Sequence, residues 1–194
     1  MKHIEVNYKN RISPLFTDGF ESSLLDAAFS NLNVVNPLRF NNFAYSLREL
    51  LRHVLHRLSP DTELSECDWF KPDSTSSTGF TRRQRIKYAI QGGLSDFYVI
   101  KKLEVEEIDN IIKELLDVIK LLSGYTHIEP ETFDCSNAEV EKLAIGCLEA
   151  TLGFVEKINE MRNEVLEALV DDIDKSLLDR IISESVTEIM ELST

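Results

Sequence analysis

The sequence is poor in residues that break helices or cross-link chains. Among its 194 residues are 7 glycines, 5 prolines and 3 cysteines. The cysteines, at positions 67, 135 and 147, form no C-x-x-C pair, which argues against a disulfide framework and a structural zinc site. No stretch approaches the ~20 consecutive apolar residues that cross a bilayer. The first residues carry the early acid Glu5 and no apolar run, so we expect no membrane contact and a cytoplasmic location.

The motifs of several enzyme classes are also missing. The sequence contains no G-x-x-x-x-G-K-[ST] and no G-x-G-x-x-G, which excludes P-loop and Rossmann nucleotide sites. It contains no H-E-x-x-H and no pair of E-x-x-H motifs, so the usual ligands of a zinc protease or a di-iron bundle are lacking. We therefore expect neither a metal ion nor another cofactor.

The net charge of −13 is distributed unevenly. Residues 1–102 hold 14 basic and 11 acidic side chains, whereas residues 103–194 hold 7 basic and 23 acidic ones. An anion site in the first half is therefore compatible with the low isoelectric point. The alternative is that its basic clusters are only solvated helix faces. These clusters are Arg39, Arg48, Arg52 and Arg57, and Arg82, Arg83, Arg85 and Lys87.

Apolar residues recur with the 3.6-residue period of a helix, which predicts an all-α protein folded as an antiparallel helical bundle. After an irregular start that ends near Pro14, helices are expected over about 17–32, 41–58, 81–90, 95–102, 104–122, 137–169 and 174–192. We expect one domain over 1–194. It comprises an N-terminal arm and first helix (1–36), motif-bearing helices (37–130) and acidic C-terminal helices (131–194).

The expected helix 41–58 is the most clearly amphipathic segment. Its stripe predicts that Leu47, Leu51, Val54 and Leu58 are buried, while Arg52 and His56 are not fully buried. Val105 is expected to point inward from the helix over 104–122. Thr17 or Asp18 is expected to cap the first helix, whose stripe includes Phe20.

The segment 48–57 places three arginines and two histidines on one polar face. At 100° per residue, Arg48 and His53 lie about 140° apart, so one helix alone does not bring them to the same atom. Two copies packed across a twofold axis would do so. An arginine would then bind a phosphate while a histidine takes the proton of a ribose 2′-hydroxyl, a chemistry that cleaves RNA without a metal. The alternative is a solvated Arg/His face.

Two further groups are candidates for the same chemistry. His127 lies at an expected helix end, where it is either a second proton-transfer residue or a cation that caps the last carbonyls. The basic start of the helix after Thr81 offers guanidinium groups beside a helix N-terminus, which suits phosphate or RNA. The alternative there is a solvent-facing first turn. The residues concerned are Arg82, Arg83 and Arg85.

The spacing Arg48-x4-His53 resembles the R-x(4–6)-H motif of HEPN domains, a helical ribonuclease superfamily of toxins and defence systems. Glu49 follows the arginine, where members of that superfamily more commonly have asparagine, aspartate or histidine. The resemblance implies a HEPN-like bundle that acts as a homodimer. It implies Arg48, His53 and His127 as catalytic residues, supported by Glu49, Arg52 and His56.

A longer resemblance joins three separate stretches. RFNNFAYSLREL (39–50), TRRQR (81–85) with QGGLSD (91–96), and YTHI (125–128) resemble the N-terminal region of predicted pPIWI-associating nucleases, over about residues 35–194. Together the two resemblances imply a metal-independent HEPN-type endoribonuclease of prokaryotic defence, with an RNA substrate and a defence-system protein partner. Two alternatives stay open. One is a non-catalytic helical dimerisation or partner-binding module of such a nuclease, and the other is an acidic antitoxin-like protein.

Overall fold

The computed structural model describes residues 1–16, 18–103 and 108–191. Within these ranges the chain forms eight α-helices, one 3₁₀ turn and no strand, which confirms the all-α prediction. No helix among these residues is long and apolar enough to cross a membrane. The helices are α1 (Lys2–Ile12), α2 (Gly19–Asn33), α3 (Arg39–Leu58), α4 (Asp61–Ser65), α5 (Arg82–Gln91), α6 (Asp96–Leu103), α7 (Ile108–Tyr125) and α8 (Asn137–Glu191).

Helix α3 lies at the centre of the fold because its apolar stripe packs against α2, α5, α7 and α8. Leu47, Leu51 and Val54 are buried, as the periodicity predicts, whereas Leu58 at the end of the helix is only half-buried. Arg52 and His56 are exposed on the opposite face. The predicted division of α3 into an apolar and a polar face is therefore confirmed.

An ion pair between a buried carboxylate and a partly exposed arginine fixes α3 against α2. Arg57 donates from Nε to Glu21 Oε1 at 2.8 Å and from Nη2 to Oε2 at 3.2 Å. The Glu21 side chain is 3% exposed. Asp18 begins α2 by accepting a hydrogen bond from the Phe20 amide at 2.7 Å. Asp18 is thus the cap, and the other candidate, Thr17, lies outside the described residues.

Helix α5 is held to the end of α3 by a buried arginine. Arg85 donates to the Ser59 carbonyl at 2.8 Å and to Asp61 Oδ1 at 2.5 Å. Thr81 and Gln84 form a capping box at the helix start, and Gly92 follows its end with a φ of +59°. The predicted start of α5 and its glycine terminator are therefore confirmed.

Two predictions near the N-terminus are wrong, and one short helix farther along the chain is missed. The start of the chain is helical, since Ile4, Tyr8 and Ile12 recur at i, i+4 and i+8 and face the bundle. The short helix α4 was not predicted, and it gives the chain after Pro60 one helical turn. Phe20 is 55% exposed because its ring lies against His53 instead of entering the core.

The C-terminal helices were predicted as two, but the structure has one continuous helix, α8. The sequence analysis expected a separate last helix from about residue 174, yet no glycine or proline interrupts residues 169–174. Asp172 instead accepts hydrogen bonds from two residues of α6, the Tyr98 hydroxyl at 3.0 Å and Lys102 Nζ at 2.5 Å. The predicted start of the preceding helix, with Val105, falls on residues 104–107, outside the described residues.

Leu51→Ala tests the central position of α3. Leu51 is 1% exposed, so its truncation should lower the free energy of unfolding by about 2–5 kcal/mol. Chemical denaturation followed by circular dichroism measures the change. Asn42→Ala, on the exposed face of the same helix, is the control and should change the value by less than about 0.5 kcal/mol. An equal change in the free energy of unfolding for both variants would contradict the burial of Leu51 in the core.

Candidate functional site

The polar face of α3 forms one wall of a cleft of about 500 Å³. The loop that precedes α5 and the first turns of α5 form the opposite wall, and α7 contributes Ile119. Four arginines, one acid, one histidine and two hydroxyl groups meet there. These are Arg48, Glu49, Arg52, His56, Ser77, Thr78, Arg82 and Arg85.

Glu49 is the only carboxylate lining the cleft in the described part of the chain, and it joins two of the arginines. Arg48 Nη2 donates to Oε1 at 2.7 Å and Arg52 Nε donates to Oε2 at 2.9 Å. Burial alone would raise the pKa of Glu49, but the two arginines outweigh it and hold that pKa below its usual value. Glu49 is therefore ionised at neutral pH and orients both guanidinium groups.

Arg48 is held on three sides. Besides its bond to Glu49, its guanidinium lies 4.9 Å from the centre of the Tyr45 ring. Its Nη1 lies 3.4 Å from Thr126 Oγ1 on the loop after α7. The side chain remains 25% exposed. This position pre-orients a cation that keeps donor groups for an anion in the cleft.

His56 is the histidine of the cleft. Partial desolvation and then the positive charges of Arg85 and Arg52 lower its pKa below the usual 6.5. The imidazole is therefore neutral at physiological pH and available to accept a proton. Since its side chain is exposed, a ligand in the cleft can reach it.

The three arginines predicted at the start of α5 have different environments. Arg82 is exposed, lines the cleft and has no ion-pair partner among the described residues. Arg83 faces away from the cleft residues and pairs with Asp109 at 2.5 Å. Arg85 lines the cleft but is 6% exposed and committed to Ser59 and Asp61. Of these three arginines, Arg82 is therefore the most accessible to a phosphate. Arg85 contributes only its positive charge to the cleft.

The loop before α5 is ordered by its own side chains. Asp73 Oδ1 accepts from the Thr75 amide at 2.8 Å, and Ser76 Oγ donates to the Phe80 carbonyl at 2.7 Å. Gln84 Nε2 donates to the Lys71 carbonyl at 2.6 Å and ties the loop to the helix. These bonds place the exposed hydroxyl groups of Ser77 and Thr78 at the mouth of the cleft.

His53 lies outside this cleft. It lines a separate depression with Asp18 and Phe20, and its ring centroid is 4.7 Å from that of Phe20. Within one chain, Arg48 and His53 therefore do not share a depression, as expected from their angular separation on α3. His56 lines both depressions and lies between them. The meeting of Arg48 and His53 across two copies stays a prediction.

His127 is exposed and follows Thr126, the loop residue beside Arg48. Among the described contacts its imidazole makes no hydrogen bond to the end of α7. The carbonyls of Tyr125 and His127 accept instead from Asn41 Nδ2, at 3.0 and 3.2 Å. Asn41 is 4% exposed and holds this loop against α3. A catalytic role for His127 also stays a prediction.

Sequence reasoning missed the groups that shape the cleft from outside α3. Thr126 and the hydroxyl pair Ser77 and Thr78 come from loops whose composition indicates only a turn. The helical period also gave no signal for Asn41, because it places this residue about 20° from Arg52 on the polar face, and only the loop after α7 buries it. Within the described residues, no group of three His, Cys, Asp or Glu side chains is placed to hold a metal ion.

A family model described as "Predicted pPIWI-associating nuclease" matches residues 13–151. The sequence resemblance covers about residues 35–194, so the matched stretch both begins and ends earlier in the chain. It includes every residue of the cleft and leaves out the C-terminal part of α8. No curated protein and no solved structure matches the chain.

Neutralising Glu49 should strengthen anion binding to the cleft. In Glu49→Gln the two arginines lose an internal counter-charge, so inorganic tripolyphosphate should bind about three- to tenfold more tightly, on the order of 1 kcal/mol. Isothermal titration calorimetry measures the affinity. Glu160→Gln, which neutralises an exposed acid paired with Lys157 on α8, is the matched control. Equal tightening in both variants would mean that the anion does not bind in the cleft.

Proposed function

Because the chain belongs to the family of predicted pPIWI-associating nucleases, we propose that it is a metal-independent endoribonuclease of the HEPN type. We propose that it serves in prokaryotic defence in the cytoplasm, together with a defence-system protein. One observation carries the proposal. A histidine with a lowered pKa, His56, shares a cleft with arginines that keep donor groups for a phosphate.

In the proposed reaction, the scissile phosphate of RNA binds to Arg48 and Arg52, with Arg82 on a neighbouring phosphate. Neutral His56 takes the proton from the 2′-hydroxyl, whose oxygen then attacks the phosphorus. The new O2′–P bond forms as the P–O5′ bond breaks, and the arginines stabilise the charge that develops on the phosphoryl oxygens. The leaving 5′-oxygen takes a proton from water and His56 returns its proton to solvent, so the products are a 2′,3′-cyclic phosphate and a 5′-hydroxyl.

The roles of the two histidines differ in this proposal from those that the motif spacing implies. His56 acts within one chain because it already lies in the cleft with Arg48. His53 enters the reaction only where a second copy brings its imidazole to the cleft, as the HEPN resemblance implies. There it would protonate the leaving 5′-oxygen. The homodimer and the contribution of His127 belong to this version of the proposal.

A non-catalytic helical module is the second candidate function. It is favoured by the pairing of both Arg48 and Arg52 with Glu49, which leaves the cleft partly self-neutralised. An acidic antitoxin-like role would use the C-terminal half of the chain, where the negative charge is concentrated. Neither candidate requires His56, so its substitution separates them from the nuclease.

His56→Ala should lower the rate of RNA cleavage by ~10²–10⁴-fold, the usual contribution of a general base. The substrate is single-stranded RNA in EDTA, and the cyclic phosphate ends are identified by mass spectrometry. Arg48→Ala should lower the rate by about 10²–10³-fold through lost charge stabilisation. DNA of the same sequence should stay intact because it lacks the 2′-hydroxyl.

His53→Ala is the matched control, since it removes the neighbouring histidine of the same helix. Catalysis within one chain predicts that it changes the rate by less than about threefold. If His53→Ala abolished cleavage and His56→Ala kept full activity, the proton-transfer residue would be His53 of a second copy. Cleavage that survives in both histidine variants and in Arg48→Ala, or that requires Mg²⁺, would reject the proposal.

The pH dependence follows from the lowered pKa of His56. The neutral form is the base, so the cleavage rate should fall as the imidazole protonates, with a midpoint below the ordinary pKa of histidine. Arg52→Ala removes a positive neighbour and should move the midpoint of the profile to higher pH, besides lowering the rate. Lys157→Ala, remote from the cleft, should leave the midpoint unchanged. A midpoint that does not respond to Arg52→Ala would contradict the assignment of His56.

A further inference from the structure

Tyr45 is an exposed aromatic residue beside the cleft. It lies on α3 one turn before Glu49, and the residue is 51% exposed. The core is built from the other face of the helix, so the ring contributes little to the packing of the bundle. Aromatic rings exposed beside a row of arginines are typical of surfaces that bind single-stranded nucleic acid, where they stack on the bases.

Tyr45 stands in line with the polar residues of the cleft. At 100° per residue, Glu49, Arg52 and His56 all lie within about 40° of it around the axis of α3. At a rise of 1.5 Å per residue, Glu49 follows Tyr45 by about 6 Å and His56 follows it by about 16.5 Å. Tyr45 and His56 therefore lie at opposite ends of the polar face, with the arginines between them.

One side of the Tyr45 ring is already occupied by a residue of the cleft. The guanidinium of Arg48 lies over the ring, 4.9 Å from its centre. Since half of the residue is exposed, the remaining ring surface faces solvent. A flat ligand that stacks on this surface would place the ring between itself and the guanidinium. A phosphate joined to that ligand could then bind Arg48 from the cleft.

The loop after α7 fixes this end of α3. Asn41, one turn before Tyr45, donates to two carbonyls of the loop at 3.0 and 3.2 Å. Arg48, three residues after Tyr45, lies 3.4 Å from Thr126 Oγ1 of the same loop. Both contacts lie on one side of Tyr45, about 40–60° away around the helix. The loop thus holds the arginine side of the ring and leaves the opposite side accessible.

The charges around Tyr45 favour a neutral ligand over a second phosphate. Glu49, the next residue on the same line, is already paired with two arginines of the cleft. The loop after α7 adds the exposed acids Glu129 and Glu131, in a turn whose Thr132 accepts a hydrogen bond from Asn41 at 3.0 Å. A nucleobase is uncharged and has two flat faces, so it suits this position, whereas the phosphates of the same strand suit the arginines.

We propose that Tyr45 stacks on an unpaired nucleobase of the RNA strand bound in the cleft. This inference rests on the proposed function and deepens it. His56 acts on the 2′-hydroxyl at one side of the scissile phosphate, so the strand that continues past Arg48 toward Tyr45 carries the leaving 5′-oxygen. Tyr45 is therefore a substrate-binding residue for the nucleotide 3′ of the cleaved bond. Stacking selects single-stranded RNA without reading its sequence.

Oligonucleotides that cannot be cleaved test the stacking separately from catalysis. The probe is 2′-O-methyl hexaadenylate with one base replaced by 2-aminopurine, and the matched oligomer has the same backbone and charge but no bases. Calorimetry should show that the chain binds the base-bearing oligomer at least about tenfold more tightly. Tyr45→Leu should weaken that binding by about tenfold and change the affinity for the abasic oligomer by less than about twofold.

Two further variants control this experiment. Tyr45→Phe keeps the ring, so it should keep the affinity and the quenching of 2-aminopurine fluorescence that stacking causes, whereas Tyr45→Leu should lose that quenching. Phe97→Leu removes an aromatic residue that is 76% exposed on α6, which packs against α8, and it should leave the binding of both oligomers unchanged. Circular dichroism verifies that each variant keeps its helix content.

Equal binding of the two oligomers by the unaltered chain would overturn the inference. So would an equal loss of affinity for both oligomers in Tyr45→Leu, because the ring would then serve only to hold Arg48.

RNA cleavage separates failure of this inference from failure of the proposed function. The kcat/KM of Tyr45→Leu on single-stranded RNA should be about tenfold lower than that of the unaltered chain. An unchanged kcat/KM would reject the stacking and keep the nuclease. Base-dependent binding through Tyr45 in a chain that cleaves no RNA would keep the stacking and reject the nuclease.

Discussion

The fold depends on the burial of one face of α3. A single 20-residue helix packs its apolar stripe against α2, α5, α7 and α8, and this packing leaves its polar face as the wall of a cleft. Because the stripe fixes the rotation of the helix, it also fixes the side chains on the other face. Arg48, Arg52 and His56 are therefore positioned by the same leucines that stabilise the bundle.

Ion pairs set the chemistry of that face. Glu49 neutralises part of the charge and orients two arginines, while the buried Arg85 joins α3 to α5 and adds a positive charge near His56. The same guanidinium that stabilises the junction thus helps to keep the imidazole neutral. Among the described residues, Glu49 is the only carboxylate that lines the cleft, while Asp61 pairs with Arg85 from outside it.

Periodicity was enough to predict the helices that bury a wide apolar stripe, α3 above all, and the capping residues of α5. It failed for α1, whose three inward residues are separated by mostly polar ones, and for α8, which continues without a break through the expected gap between residues 169 and 174. The cleft was predictable only in part. The polar face of α3 is visible in the sequence, but Thr126 and Ser77 reach it through long-range loop contacts that local patterns do not encode.

Titration of the histidines by NMR tests the central claim most directly. The chain has four histidines, so each imidazole can be assigned and followed individually through pH and ligand titrations. The account predicts that His56 titrates below 6.5 and that an RNA oligonucleotide with 2′-deoxyribose at the cleavage position shifts its resonances and raises its midpoint. In a monomeric chain, binding of the oligonucleotide should not shift the resonances of His53. A ligand response at His53 without one at His56 would contradict the account.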